Sequence, residues 1–358
     1  MGPGIRSVGG RRPRIGLIDR GRPGHDYDKA LVTRGTGAQV VSLGPDADDP
    51  NVNGLFVPGG RYNLPGTLGD EDPRHEPKSE QEARDWAARI DFQNERIGRA
   101  RDACVPTLGV CGGSRSMAQN ALDPSRNEGK GVTYHLANDG TQTRHNKPMN
   151  QPWGVAHEIV VDPQSQMGRI MRGEHWRGGG QPLLTRLPGG GVPPGADPRL
   201  YAPPEPADGP LFVRVNSMHW AAVRFEPPAG GNNNAAPAAQ VHVAAHEQRQ
   251  GGDQAADAPV VEGWERYGGG LFMGMQSHPE FAQIPVGGFR PEDSLRHARI
   301  MAALGQAATE HLAIQTLRNN PLFMRRFRRL LNRVRSTAEG AGARAAARQN
   351  SPQEEDPK

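Results

Sequence analysis

Between Val105 and Gln119 the chain passes from a short apolar stretch, Val105-Pro106-Thr107-Leu108, through Gly109-Val110-Cys111-Gly112-Gly113 into Ser114-Arg115-Ser116-Met117-Ala118-Gln119, which can open a helix. A strand forced to turn at once into a helix leaves few fold choices. The pattern is that of a nucleophile elbow with cysteine in the serine position. The flanking glycines are read as permitting the sharp turn, with the central side chain exposed at a sheet edge. A thiol there lies near a helix N-terminus, where the dipole favours the reactive thiolate. The same pentapeptide also suits a buried structural cysteine beside a glycine-rich turn, and taken alone it does not separate the two.

Other β-favouring runs recur along the chain, at Ile15–Asp19, Gln39–Leu43, Gly54–Val57 and Thr107–Cys111. Between the last two lies Glu80–Ala103, with Ala83, Trp86, Ala87, Ile90, Ile97 and Ala100 mostly at helical spacing. Strands alternating with helices predict a parallel sheet covered on its faces by helices. The later runs, at Glu158–Val161, Leu211–Val215, Ala221–Phe225, Val241–Val243, Val260–Glu262 and Leu271–Met275, are closely spaced with few helical intervals, so this half is expected to add antiparallel strands. The 358 residues include 47 Gly and 33 Pro, which predicts long irregular segments. Two such segments, Arg172–Pro210 and Glu226–Ala239, read as surface insertions without a packed core of their own. Helical pattern returns at Ser294–Leu304, Ala307–Leu317 and Pro321–Arg335.

Composition excludes several classes. The net charge of +4 is too small for a nucleic-acid-binding signature. Cys104 and Cys111, the two cysteines, offer neither a disulfide framework nor metal-type spacing and fit a reducing compartment. No apolar run approaches the roughly 20 residues that span a bilayer, and Met1–Arg14 is Gly/Arg-rich, unlike a signal peptide. A cytoplasmic protein is the expectation. His242 and His246 fall in a strand-then-turn pattern, and no HExxH helix, Walker sequence or strand-linked GxGxxG occurs.

A cysteine nucleophile needs a base, an orienting group and an oxyanion site. His278, in Gly274-Met275-Gln276-Ser277-His278-Pro279-Glu280-Phe281, follows a predicted strand, where active-site groups of parallel sheets collect. In extended chain Glu280 points to the same side and can hold the imidazole tautomer. A surface His-Pro-Glu turn is the plainer reading of that octapeptide. Oxyanion donors can come from the Gly112 N–H and from the Pro58-Gly59-Gly60 turn.

Four ordered segments together resemble the class I glutamine amidotransferase superfamily, and within it the γ-glutamyl hydrolase branch, which includes γ-glutamyl-γ-aminobutyrate hydrolases. Gly54-Leu55-Phe56-Val57-Pro58-Gly59-Gly60 looks like the oxyanion strand, and Pro106–Gly113 looks like the nucleophile elbow. Val215-Asn216-Ser217-Met218-His219-Trp220-Ala221-Ala222-Val223 is similar to the branch's Val-Asn-Ser-x-His segment, and Gly274–Phe281 to its terminal block. Supporting similarities lie at Val261–Glu265 and His157–Val161. The resemblance covers roughly Arg14–Ala282, apart from the two insertions.

It implies a flavodoxin-like α/β three-layer sandwich with a mostly parallel central sheet, carrying a thiol hydrolase of γ-glutamyl amides. Cys111 would form the γ-glutamyl thioester, His278 would shuttle the proton and Glu280 would orient His278. Gly60 and Gly112 would donate to the oxyanion. Gly59, Arg115, Asn216, Ser217 and His219 would face the substrate. No cofactor or metal is implied, and the partner is a small γ-glutamyl amide. A glutaminase subunit feeding ammonia to a synthetase, and a degenerate family member acting as a binding module, are the alternatives. Arg115 stands where the family usually has Gln, Ser277 where it often has an aromatic, and Ala221 where Gln is common. Arg115 suits either an acidic substrate or an internal ion pair.

The expected organisation is a domain over 14–290, a helical extension over 291–336, and disordered tails at 1–13 and 337–358. Pro321–Arg335 places Leu322, Phe323, Phe327, Leu330, Leu331 and Val334 largely on one face and arginines on the rest. Docking of that apolar face on its own domain is the favoured reading over contact with membrane or nucleic acid.

Overall fold

The computed structural model describes residues 3–4, 7–19, 25–45, 51–60, 79–122, 130–136, 155–216, 219, 221–226, 241–248, 259–281, 289–327 and 329. In chain order the first elements are β1 (Arg14–Ile18), α1 (His25–Thr36), β2 (Gln39–Leu43), β3 (Gly54–Val57) and α2 (Glu80–Asp102). There follow β4 (Thr107–Val110), α3 (Gly112–Ala121), β5 (Lys130–His135), β6 (His157–Val161) and α4 (Gln166–Met171). The rest are β7 (Leu211–Val215), β8 (Ala221–Glu226), β9 (Val241–Glu247), β10 (Val261–Arg266), β11 (Phe272–Met275) and α5 (Pro291–Arg318).

Among the described residues all eleven strands join one sheet, ordered β2-β1-β3-β4-β11-β10-β9-β6-β7, with β8 pairing β10 and β5 pairing β8. The first five in that order run parallel. From β11 onward every pairing is antiparallel. The expected architecture is therefore present, a parallel core with an antiparallel extension built largely from the second half of the chain.

Period-two alternation divides the apolar residues between two faces. Ile15, Leu17, Phe56, Leu108, Val110, Met273 and Met275 point into one cluster, closed by Val32 of α1 and by Ile300–Leu304, Ala307 and Ala308 of α5. Leu55, Val57 and Phe272 point into the other, closed by Ile97 and Ala100 of α2 and by Met117, Ala118 and Ala121 of α3. Both faces are covered, as runs of continuous apolar residues require. Each fully buried aliphatic or aromatic side chain contributes about 1.5–3 kcal/mol.

Several expectations change. Arg172–Pro210 is not a surface insertion: Trp176, Leu183, Leu184, Leu200 and Tyr201 are buried in the first cluster with the sheet. Their side chains are spaced between Gly and Pro turns, so average composition conceals a covering layer. Ser294–Leu304 and Ala307–Leu317 are one continuous helix, α5. Gly305 within it marks a close approach rather than a break, since a Cβ there would lie 2.1 Å from the Thr36 carbonyl oxygen. Residues 300–308 belong to the sheet core, so the domain runs past 290; by contacts it extends over Met1–His311, with Leu312–Lys358 as a second unit. In that second unit residues 321–327 are helical, capped by Asn320 Oδ1, which accepts from the N–H groups of Leu322 (3.0 Å) and Phe323 (3.2 Å). Of the expected N-terminal tail, Val8 and Arg11 form an isolated bridge. The second insertion beyond Glu226 and the C-terminal tail lie outside the described residues.

β5, α1 and α4 are not anticipated by the sequence pattern. β5 is Lys-Gly-Val-Thr-Tyr-His and gains its place by pairing with β8 under α3, where a Cβ on Gly131 would meet the Ala118 oxygen at 2.1 Å. α1 buries only a narrow stripe that includes Leu31 and Val32. Gly305→Ala is expected to destabilise the protein by more than about 2 kcal/mol through overpacking. Gly98→Ala on α2, where a Cβ meets nothing within 4 Å, should instead stabilise it by up to about 1 kcal/mol. Urea unfolding of the two variants checks both signs.

Candidate active site

The parallel register brings the C-terminal ends of β3, β4 and β11 side by side, with Val57 opposite Gly109 and Met275 opposite Val110. Pro58-Gly59-Gly60, Cys111 and Gln276-Ser277-His278 therefore leave the sheet at one edge, the usual location of sites in open α/β sheets.

Cys111 links β4 to α3 with φ 49° and ψ −116°. Such a conformation costs a non-glycine residue about 1–3 kcal/mol. Its N–H donates to the Met275 carbonyl at 2.8 Å, and its own carbonyl accepts from the Arg115 N–H at 3.2 Å. The strain falls on the cysteine, since Gly109, Gly112 and Gly113 do not adopt positive φ. The elbow glycines serve closeness instead. A Cβ on Gly113 would lie 2.1 Å from the Val57 oxygen, and one on Gly109 would lie 2.4 Å from the Met117 sulfur. Without them α3 could not sit tightly enough on β3 and β4 to hold the turn.

His278 and Glu280 lie in a turn closed by the Phe281 N–H donating to the His278 carbonyl at 3.1 Å, not in the extended chain that the spacing suggests. The turn still joins them: His278 Nδ1 is 2.8 Å from Glu280 Oε1, with both side chains buried. A carboxylate accepts, so Nδ1 carries a proton and donates it, which leaves Nε2 as the nitrogen free to exchange a proton with its surroundings. The ring stacks on Phe281 with centroids 5.0 Å apart. A Cβ on Gly59 would stand 3.1 Å from Cys111 Cβ, 2.5 Å from His278 Cε1 and 3.2 Å from Nε2. Gly59 is thus the close-approach point where thiol and imidazole converge. Next to it Gly60 has φ 142°, a region open mainly to glycine.

Asn216 has a different place from the one its motif suggests. Fully buried, its side-chain Nδ2 donates to the His278 carbonyl at 3.2 Å and its Oδ1 accepts from the His278 N–H at 2.9 Å. This clamp holds the backbone of His278 instead of lining a pocket. His219 is likewise turned to protein groups, with Nδ1 at 3.2 Å from the Ala221 carbonyl and Nε2 at 3.2 Å from Glu262 Oε1. The same Glu262 oxygen lies 3.2 Å from His157 Nε2. Ser217 lies outside the described residues. Gln276 and Phe281 fall in the terminal block, and Glu262 and His157 in the supporting segments, of the resemblance, but no local signal gives any of them a role at the site. Gln276 and Ser277 are buried, and their side-chain polar atoms make no hydrogen bond among the described residues.

Electrostatics favour a charged thiol–imidazole pair. Burial pushes the Cys111 thiol up, but His278, the Arg115 guanidinium and the Gly112 N–H outweigh it and bring the thiol down to about 7. Burial pushes His278 down, and the Glu280 carboxylate together with Cys111 overrides this, raising it to about 10. Arg115 is 2% exposed, and burial pulls its guanidinium below the ordinary range while the Cys111 charge acts to restore it. Of its two readings, burial and the charge coupling to Cys111 support the internal one. Cys104, by contrast, is an exposed free thiol.

Among the described residues no group of three or more His, Cys, Asp or Glu is arranged to hold a metal ion, and no helix is long and apolar enough to cross a membrane. No family model matches the chain, and no curated protein matches it. Solved structures resemble it distantly. A GMP synthase subunit from Thermoplasma acidophilum is 14% identical over 86% of this chain and 98% of its own, with a TM-score of 0.43. The acivicin-bound glutaminase domain of CTPS from Trypanosoma brucei is 14% identical over 83% of this chain and 94% of its own, with a TM-score of 0.43. A glutamine amidotransferase from Thermotoga maritima is 12% identical over 85% and 99%, with a TM-score of 0.38. Likeness at this level assigns no chemistry, which must come from the site itself.

Alkylation of Cys111 by iodoacetamide should rise with pH around a midpoint near 7, because only the thiolate reacts. His278→Ala removes the neighbour that lowers the thiol most while burial persists, so the midpoint should move upward. Peptide-resolved mass spectrometry separates this curve from that of Cys104.

Proposed function

We propose that this protein is a cysteine-dependent hydrolase of γ-glutamyl or closely related amides. The observation that carries the reading is the convergence of a strained, thiolate-favouring Cys111, His278 and Glu280 beside Gly59 at the C-terminal edge of the parallel strands. The γ-glutamyl preference rests on the motif resemblance alone.

In this reading the Cys111 thiolate attacks the amide carbonyl carbon, and the carbonyl π electrons move to oxygen. The Gly112 N–H at the start of α3 and the Gly60 N–H face the resulting oxyanion, where preorganised donors contribute most. The His278 imidazolium gives its Nε2 proton to the amide nitrogen, the C–N bond breaks and the amine leaves, so that a γ-glutamyl thioester remains on Cys111. Neutral His278 then takes a proton from water, hydroxide adds to the thioester, and the thiolate departs with release of the free carboxylate. Glu280 keeps Nδ1 protonated through both steps. Gly59 provides the space in which the substrate meets the thiol. Arg115 stabilises the thiolate from inside the protein. Asn216 is a positioning residue that fixes where the imidazole stands.

Cys111→Ala is expected to lower turnover of γ-glutamyl amides by more than about a thousandfold, with Cys104→Ala close to wild type. Mass spectrometry of the wild type after brief exposure to a panel of γ-glutamyl amides should show the acyl adduct on Cys111. Full turnover by the Cys111 variant would remove the reading. Asn216→Ala should reduce kcat by about ten- to a hundredfold with KM little changed, the scale expected for a displaced base. Asn216→Asp keeps one of the two contacts and should fall between; equal kcat in all three proteins would show that the clamp does not position His278.

A further inference from the structure

The helical residues 321–327 in the second unit are unlike the rest of the chain. Leu322, Phe323 and Phe327 are 71%, 37% and 42% exposed, among the most exposed large apolar side chains described. Phe323 and Phe327, one turn apart, stack with ring centroids 5.9 Å apart and form a single aromatic ridge. Relative to the Phe323–Phe327 ridge, Arg325 and Arg329, also one turn apart, fall on the far side by helical spacing, and Arg326 lies between the ridge and Leu322; all three arginines are exposed. From His311 to Ala338 the sequence holds seven arginines and no acidic residue.

The sequence pattern favours an apolar face covered by the protein. An exposed aromatic ridge beside a row of fixed positive charges calls instead for an occupant that is both apolar and anionic. A second copy of the segment meets the apolar need but brings seven more arginines with no carboxylate to offset them. A nucleic acid satisfies the arginines through its phosphates, yet gives the stacked Phe ridge no apolar phase to enter, and no RNA-type aromatic motif accompanies it. An anionic lipid bilayer satisfies both, since apolar side chains enter the acyl boundary while arginines extend along the helix to the headgroups.

We propose that the helical residues 321–327, together with Arg329, form an interfacial element that binds the surface of an anionic lipid bilayer, with Phe323 and Phe327 inserted and Arg325, Arg326 and Arg329 at the headgroups. The helix lies on the membrane and does not cross it. The proposal is independent of the chemistry assigned to Cys111.

The test is co-sedimentation of the full-length protein with vesicles of phosphatidylcholine alone and of phosphatidylcholine mixed with phosphatidylserine. Binding is expected only to the mixed vesicles, weakening as salt is raised. Phe323→Ser/Phe327→Ser and, separately, Arg325→Glu/Arg326→Glu/Arg329→Glu should each reduce partitioning by at least about tenfold. Both variants should retain the wild-type Tm and Cys111 alkylation rate, since the substituted side chains are exposed. The proposal is overturned if the wild type stays in the supernatant with the mixed vesicles. It is equally overturned if the Phe variant binds as well as wild type, or if concentration-dependent dimerisation or a stronger complex with an oligonucleotide accounts for the segment.

Discussion

The backbone of Cys111 is the constraint on which the rest of the site depends. A cysteine at φ 49° is held there by its hydrogen bond to Met275 and by the carbonyl it offers to Arg115 at the start of α3. Neither bond forms unless β4 and β11 are paired in register and α3 lies hard against β3. That closeness in turn requires Gly113 and Gly109, because any Cβ would collide with the Val57 oxygen or the Met117 sulfur. The local cost of about 1–3 kcal/mol is offset by a two-faced hydrophobic core of much larger magnitude, and its result is a thiol presented at the strand edge.

Around that thiol the protein fixes one imidazole from several directions. Glu280 holds Nδ1, Phe281 stacks on the ring, Gly59 permits the approach to Cys111 and Asn216 clamps the backbone. Charge then couples the thiol and the imidazole: each lies where the other is stabilised in its ionised form, and the Arg115 guanidinium acts in the same direction on the thiol. A buried thiolate without these neighbours would be costly. The order of effects matters, since burial opposes both ionisations and the partners reverse it.

Much of the fold is legible in the sequence because continuous apolar runs bounded by Gly, Pro and Asn have few interpretations. The strands of the parallel core, the long helix between the third and fourth of them and the turn at Cys111 follow from such local signals. β5 escapes because Lys130–His135 has little apolar content and becomes a strand only through β8 and α3. Arg172–Pro210 misleads because its few large apolar residues are diluted by turn formers, although they cover the sheet. At the site, the Cys, His and Glu are legible as residue types, but strand alternation is not what makes His278 and Glu280 meet. A turn brings them together.

The sequence alone determined the chemical inventory: a thiol between glycines after a strand, a His-Pro-Glu block after another, and an arginine-rich segment free of acids. These are properties of short stretches, set by φ preferences, side-chain chemistry and charge. Tertiary structure decided what each group does. Asn216 became a clamp and His219 a partner of Glu262 because residues distant in sequence meet there. Arg115 became an internal charge because its place on α3 is buried and electrostatically coupled to Cys111. The thiol became acidic only where an imidazole, a guanidinium and a backbone N–H converge in a buried volume, since electrostatic work depends on distance and dielectric, and neither is written in a linear chain.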